Sequence, residues 1–491
     1  MKGTIRPIRT DGDPLLRKPS VPVEAGDVDL DGDLADLAVT LEDFRSRAGF
    51  GRAISAPQIG IAKRIIVMNL GAGPLALLNP EITWRSQEMQ TVWDDCLSVP
   101  DTLVRVKRHA SITVRYREPG FGVRTWQRLP PDLAELLQHE IDHLDGVLML
   151  DRADGVDARG SMARRAELVD AGRRRHRITP DGVVGARAQI DPTFMGTPQF
   201  ECESLGLSLD CRVTLKVETM NPIRCFKGRG ASVYVRRHVI DRPRAPLVTA
   251  SAGNWGQALA YACRTEGVDL VVYAAVGANP RKVERMRALG AEVRLVGEDF
   301  DAAKWTAKKY AADSGLAYAE DGLDVAVTEA CGSVAIELHE AVATREDYLD
   351  AIVVPLGNGA LINGMASWSK AISPSTELIG VCASGAPSMR DSWLAPSGSP
   401  VVAYERIETV ADGIGVRVPI PEAVEDMRGV VDDVVLVDDD IIAVAADRLR
   451  EHAGLIAEPA GAAALAFIIA EPERFSGRHV AIVVTGSNVS G

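Results

Sequence analysis

From Ala153 to Ala188 the chain reads ADGVDARGSMARRAELVDAGRRRHRITPDGVVGARA, an arginine-rich, glycine-punctuated run. It divides two stretches with different hydrophobic patterns. Upstream, short β-type runs such as RIIVMNL and ITVRYRE dominate, and a helical segment follows them. Downstream, LVVYAAV, EVRLVGE and AIVVPLG are apolar runs of buried-strand length, alternating with helical patterns such as PRKVERMRALG. Strand–helix alternation of that kind implies a largely parallel α/β architecture. Two unlike domains are therefore expected, over 1–152 and 188–491. The run 153–187 reads as a solvated linker with a short helix near Ala163–Ala171.

The length of 491 residues also exceeds one ordinary domain. Hydrophobic residues at 46% and charged ones at 25% give a globular profile. A net charge of -13 argues against nucleic acid or an anionic membrane as partner. Seven cysteines without disulfide-like spacing suit reduced thiols and a cytoplasmic location. MKGTIRPIRTDGDP lacks the apolar core of a secretory signal. GLIAEPAGAAALAFIIA contains Glu458 and Pro459, and reads as a loop leading into a buried helix rather than a membrane span.

LLQHEIDHLDG, residues 136–146, puts His139 and His143 four apart on one helix face, with Glu140 beside them. Two imidazoles can share a cation there, and Glu140 can serve as general base. WDDCLSVP offers Cys96 as a third ligand, leaving a fourth position for water. A bound metal lowers the pKa of that water, and Glu140 can take its proton. A structural cysteine and a chance His-Glu-x-x-His are the plain alternatives.

GRAISAPQIG, Gly51–Gly60, adds Gln58. In this order the three segments resemble peptide deformylase, with its G-x-G-[LI]-[AS]-A-P-Q loop, E-G-C-L-S strand and Q-H-E-x-D-H helix. DGDPLLRKPS and LLNPEI are similar to that family too. The resemblance covers about residues 1–152 and implies an α+β deformylase-like fold. It implies Cys96, His139 and His143 as ligands of Fe2+, Zn2+ or Ni2+. Glu140 would be the acid/base, while Gln58 and the backbone N–H of Leu97 would stabilise the oxyanion of a formyl group. Ala53 stands where the family has its second glycine, and Asp94-Asp95 where it has Glu-Gly. A side chain and extra negative charge are thereby expected beside the substrate groove, where they would alter substrate binding without touching the metal; the expected substrate is an N-formyl peptide or amino acid.

In the second part, KVETMNPIRCFKGRGAS sets Lys227 among glycines that let backbone crowd around it. SAGNWGQALAYA is a small polar loop leading into a helix, whose N-terminus suits an anion. VVPLGNGALI is a buried strand with a Gly-rich turn, a natural phosphate cradle. VVTGSNVSG closes with a strand and a polar turn. Together, over about 188–491, these resemble the threonine and serine dehydratases that use pyridoxal phosphate. The resemblance implies a fold-type-II α/β enzyme with parallel sheets in a large and a small subdomain. Lys227 would carry the cofactor and Asn254 would bond its ring hydroxyl. Gly357, Asn358, Gly359 and Ala360 would wrap its phosphate. Ser251, Ala252 and Gly253 would receive the substrate carboxylate. Thr485 would face the pyridine nitrogen, where a hydroxyl supports ring protonation less than a carboxylate and suits elimination. Lys227 would then remove the α-proton, the β-hydroxyl would leave, and hydrolysis would give a 2-oxo acid and ammonia.

Several positions depart from the family. Ile223-Arg224-Cys225 replaces T-G-S before Phe-Lys, bringing an arginine near the cofactor. Trp255 replaces a histidine. Ala252 replaces the second serine of related racemases, which argues against racemisation. Ser384 replaces a metal-binding Glu in GVCASGAPSM, so no metal is expected in this half. No allosteric isoleucine-sensing module is expected. The chain is expected to be a bifunctional enzyme and a homo-oligomer acting on small molecules. The alternatives are a non-catalytic half, most readily the deformylase one, or β-replacement or threonine synthesis in the other. A formylated amine cannot react with pyridoxal phosphate, so the first half could release the amine that the second consumes.

Overall fold

A computed structural model describes residues 3–24, 26–120, 122–126, 128–170, 177–344 and 347–489. The chain divides into two compact units, Met1–His176 with Ala371–Ser375, and Arg177–Lys370 with Thr376–Gly491.

The first unit is α+β. Its five-stranded sheet runs in the order Ala53–Ser55, Ile65–Asn69, Pro74–Arg85, Ile112–Glu118 and Gly122–Trp126, antiparallel throughout. A second antiparallel sheet joins Met89–Cys96, Val99–His109 and Arg159–Ser161. Alternating residues such as Ile112, Val114 and Tyr116 are buried, as a strand period of two requires. The helix Pro131–Leu144 is buried from Leu133 onward and joins the core of the larger sheet through Leu133, Leu137 and Ile141. Proline at its N-terminus suits a helix start, where the missing N–H is no loss.

The second unit is α/β with two sheets. The larger runs in the order Asp433–Val437, Glu377–Ala383, Ala351–Pro355, His479–Val484, Arg212–Val217 and Gln199–Glu201. Only the edge strand Gln199–Glu201 pairs antiparallel. The smaller sheet is parallel: Glu292–Leu295, Leu270–Ala274, Leu247–Ala250 and Ala317–Tyr318. Strands such as Ala351–Pro355 and His479–Val484 are buried at every residue, because helices cover both faces of such a sheet. Pro459–Ala470 is a buried helix with Glu458 at its N-cap, as its sequence suggested.

Much of the expected linker is part of these folds. Arg159–Ser161 pairs with Thr102–Val104. Pro180–Arg187 is a helix whose N-cap, the Thr179 hydroxyl, accepts from the Gly182 N–H, and whose Val183 packs with Ile178 and Ile336. The helix expected near Ala163–Ala171 is two short turns, Met162–Arg164 and Ala166–Asp170. Ala171 and the rest of 171–176 lie outside the described residues. No helix among the described residues is long and apolar enough to cross a membrane.

Candidate active sites

In the first unit, one helix and one hairpin build the site. His139 and His143 stand on successive turns of Pro131–Leu144, and Cys96 ends the strand Met89–Cys96. The ligand atoms of these three buried residues lie within 4.8 Å of one another. Cys96 Sγ is 3.3 Å from His143 Nε2, which is 3.2 Å from His139 Nε2. A tetrahedral ion bound at about 2.0–2.3 Å would space its donors by about 3.3–3.6 Å. The donor set therefore fits a small divalent cation with a fourth position for water.

The surroundings are equally directed. The Gln58 carbonyl oxygen accepts from the Ser55 N–H at 2.8 Å, which turns its amide nitrogen toward Ser98 Oγ (3.2 Å) and Cys96 Sγ (3.9 Å). Leu97 opens the two-residue turn between the hairpin strands, so its N–H stands beside Cys96. The Ser55 hydroxyl donates to Glu140 Oε2 at 2.5 Å. Burial raises the Glu140 carboxyl above its usual pKa, against the opposing effect of His139.

Two of the residues flagged in the sequence, Ala53 and Asp94, take other roles than expected. Ala53 does not project into a groove. Its methyl shares the apolar core with Met68, Leu77 and Leu137. Asp94 is fully buried, with Oδ2 3.1 Å from His139 Nδ1 and 2.6 Å from Arg108 Nη2. Burial alone would raise this carboxyl, but Arg108 and then His139 hold it well below the usual range. Arg108 also reaches Asp142 at 3.0 Å. Asp94 thus orients a ligand histidine and adds no free charge, the usual outer partner of a metal-bound imidazole. Asp95 carries its charge against Arg165 at 2.6 Å. Sequence reasoning missed the Asp94–Arg108 support. Its signal was the aspartate two residues before a ligand cysteine.

In the second unit, Lys227, Asn254, Gly357, Asn358, Gly359, Ala360 and Thr485 line one cavity. Ser251, Ala252 and Gly253 line an adjoining cavity of about 750 Å³ that also reaches Lys227 and Asn254. The cradle is the turn between the buried strand Ala351–Pro355 and the helix Ala360–Ile372. Gly359 has φ +91, and a Cβ on Gly357 would meet the Gly413 carbonyl oxygen at 2.8 Å. Glycine at 357 and 359 thus lets backbone N–H groups point at an anion, at a helix N-terminus with no acidic residue in its first turn. Ser251 Oγ accepts from the Gly253 and Gly256 N–H groups at 3.2 and 2.9 Å, fixing the loop ahead of the helix Asn254–Glu266. A lysine, a backbone phosphate cradle and a terminal hydroxyl at Thr485 fit pyridoxal phosphate.

Two carboxylates here were not foreseen. Asp321 pairs with the Lys227 ammonium. Burial pushes the lysine pKa down, but Asp321 outweighs it and the net shift is upward. Glu458 accepts from Asn254 Nδ2 at 2.7 Å and from the Asn488 N–H at 2.9 Å. Asn488 Nδ2 donates to Asn254 Oδ1 at 2.8 Å, so the Asn254 amide is held at both ends. Arg224 is exposed at φ +54 and lines neither cavity, which corrects the expectation of an arginine near the cofactor. Cys225 beside it is buried, and burial pushes its thiol up to about 12.

Residues 190–486 match the family model of pyridoxal-phosphate dependent enzymes. The chain belongs to that family. Residues 5–159 match the polypeptide deformylase model, so a deformylase domain precedes the pyridoxal-phosphate domain. The biosynthetic L-threonine dehydratase of Lactococcus lactis subsp. lactis is 30% identical over 287 residues, 58% of this chain and 68% of its own. The catabolic L-threonine dehydratase of Staphylococcus aureus (strain N315) is 28% identical over 319 residues, 64% of this chain and 90% of its own. Maize serine racemase aligns with a TM-score of 0.59 and 26% identity, covering 64% of this chain and 96% of that one. Threonine deaminase isoform 2 of Solanum lycopersicum gives 0.58 and 27%, covering 63% and 85%. The second unit is thus a fold-type-II, dehydratase-like member of the pyridoxal-phosphate family.

Proposed function

We propose that the chain is bifunctional: a metal-dependent deformylase of N-formyl substrates, and a pyridoxal-phosphate-dependent lyase that deaminates L-threonine, L-serine or a related hydroxy amino acid. The observation that carries this reading is that each unit gathers a full set of reacting groups in one place. Cys96, His139 and His143 converge with Gln58 nearby, and Lys227 shares a cavity with Asn254, the cradle and Thr485.

In the first unit, a divalent ion held by Cys96, His139 and His143 would supply a water of lowered pKa. Glu140 accepts the proton of the attacking water and passes it to the departing nitrogen. Gln58 Nε2 and the Leu97 N–H take the charge that develops on the formyl oxygen, an interaction that can contribute about 3–4 kcal/mol. In the second unit, pyridoxal phosphate would supply an electron sink at the substrate α-carbon. Lys227 takes the α-proton, and Asp321 holds the resulting ammonium. Ser251, Ala252 and Gly253 seat the substrate carboxylate, and the cavity beyond them receives the side chain whose β-hydroxyl leaves.

The test is direct. Purified protein is measured for metal content and for the absorbance of lysine-bound cofactor. It is then given L-threonine or L-serine without an added nucleophile, and separately a formylated amino acid or peptide. The expected results are 2-oxo acid and ammonia, lost in Lys227→Ala, and formate, lost in Glu140→Ala. Formate release no greater than that of Glu140→Ala would make the first unit a non-catalytic module. Product only with an added nucleophile would make the second a β-replacement enzyme.

A further inference from the structure

Charged side chains cluster on the elements that carry Cys96 and His139. Glu135 is buried one helical turn before His139, on the same face. Arg52 holds it at 2.8 Å and also donates to the Asp132 carbonyl oxygen at 3.1 Å. The Arg52 charge is felt by Glu140, and that of Asp95 by Arg52. Asp95, adjacent to Cys96, pairs with Arg165, whose guanidinium lies 4.0 Å over the Phe50 ring. Arg165 thereby ties the stretch leading to Arg52 to the strand end that carries Cys96. It follows the turn Met162–Arg164, which leads on from the strand Arg159–Ser161 paired to Thr102–Val104.

These features limit what can enter. An apolar side chain seated among Arg52, Glu135 and Asp95 would strip water from charges and offer nothing in return. A peptide running out between Phe50 and Asp95 would have to break the Arg165 bridge. A single N-formyl amino acid with a small polar side chain meets neither obstacle. Its free carboxylate lies close to the formyl group, and so close to Glu140, where low dielectric magnifies repulsion. A cation fixed outside the metal's own donor set would offset that repulsion. Arg52 is one, held in place by a buried carboxylate.

We infer that the first unit is built for single N-formyl amino acids with a free α-carboxylate, Arg52 receiving that carboxylate and Arg165 closing the site to longer peptides. This rests on the deformylase reading above. The reaction stays balanced: water adds at the formyl carbon, the C–N bond breaks, and formate and the free amino acid leave.

The experiment uses the full, zinc-loaded chain. Binding of N-formyl-L-serine, its amide, and the peptide formyl-Met-Ala-Ser is measured by calorimetry on the Glu140→Gln protein, and hydrolysis of each on the unsubstituted protein. The acid is expected to bind at least about tenfold more tightly than either rival, the scale of one charge-assisted contact. Arg52→Gln should erase the acid-over-amide preference. Because it removes one partner of the buried Glu135, the double change Arg52→Gln with Glu135→Gln accompanies it. Arg165→Ala should bring peptide binding to within about threefold of the acid, since it removes the bridge and leaves Arg52 in place. Equal binding of acid and amide, or a peptide that binds and reacts as well as the acid, overturns the inference while leaving the deformylase reading intact. Absence of metal-dependent hydrolysis of all three overturns both.

Discussion

Single residues carry two tests that separate the sites from the scaffold. Asp94 has no contact with the metal position, yet it fixes the tautomer and tilt of His139. Asp94→Asn is expected to lower zinc affinity about 10–100-fold in competition with a chelator, the usual effect of removing an outer partner. An unchanged affinity would show that His139 needs no such support. Arg224 occupies φ +54 where the dehydratase pattern has glycine. The left-handed conformation costs a non-glycine residue roughly 1–2 kcal/mol, and glycine gives back part of that through a freer unfolded chain. Arg224→Gly should therefore stabilise the protein by about 0.5–1 kcal/mol in urea titration, with unchanged cofactor absorbance. The convergence of Cys96, His139 and His143, and the place of Lys227 in a cavity with the glycine cradle, were legible in the sequence because spacing and neighbours specify them. Asp321 was not, since it lies 94 positions from Lys227 and no local pattern marks it.

At the scale of elements, three segments of the second unit are pinned by a buried ionic cluster. Lys216 lies next to the end of its strand inside the protein, Arg229 stands in the first turn of the helix behind Lys227, and Glu337 sits on the helix Ser333–Ala343. Arg229 bridges Glu218 and Glu337, each at 2.8 Å, and Lys216 reaches Glu337 at 2.5 Å. Burial works to raise the Glu337 carboxyl, but Arg229 and Lys216 hold it down to about 2. A depressed carboxylate adds stability that is present above its unfolded value of 4.5 and is lost as pH falls from there toward 2. Denaturant titrations across that window should show the second unit weakening. Glu337→Gln, which leaves Arg229 underpaired, should cost about 3–5 kcal/mol at neutral pH. A loss below 1 kcal/mol would mean water reaches the cluster, as it does at exposed pairs. The strands themselves were readable: ITVRYRE maps onto Ile112–Glu118 residue for residue. The short pieces Arg159–Ser161 and Pro180–Arg187 were not, because their order comes from long-range pairing and packing that an arginine-rich composition conceals.

The whole molecule carries two sites of different chemistry in two compact units, and each ligand should protect its own. A ligand that binds only the native form stabilises it by about 2.7 kcal/mol at a hundredfold its dissociation constant. Pyridoxal phosphate is expected to raise the unfolding of the second unit, followed through loss of cofactor absorbance. Zinc is expected to raise that of the first, followed through the formate release that survives heating. If either ligand moved both transitions equally, the units would unfold as one. The seven cysteines are all free and buried, and only Cys96 belongs to the first unit. Burial holds the thiols of Cys225, Cys263 and Cys382 up to about 12, where a thiolate is scarce. The cysteines are therefore a built-in clock of opening. A maleimide should scarcely label the zinc-loaded chain, and a chelator should free buried Cys96 to react as fast as the first unit opens. The other six should react only as fast as the second unit breathes, giving a residue-resolved record of its motion without any engineered probe.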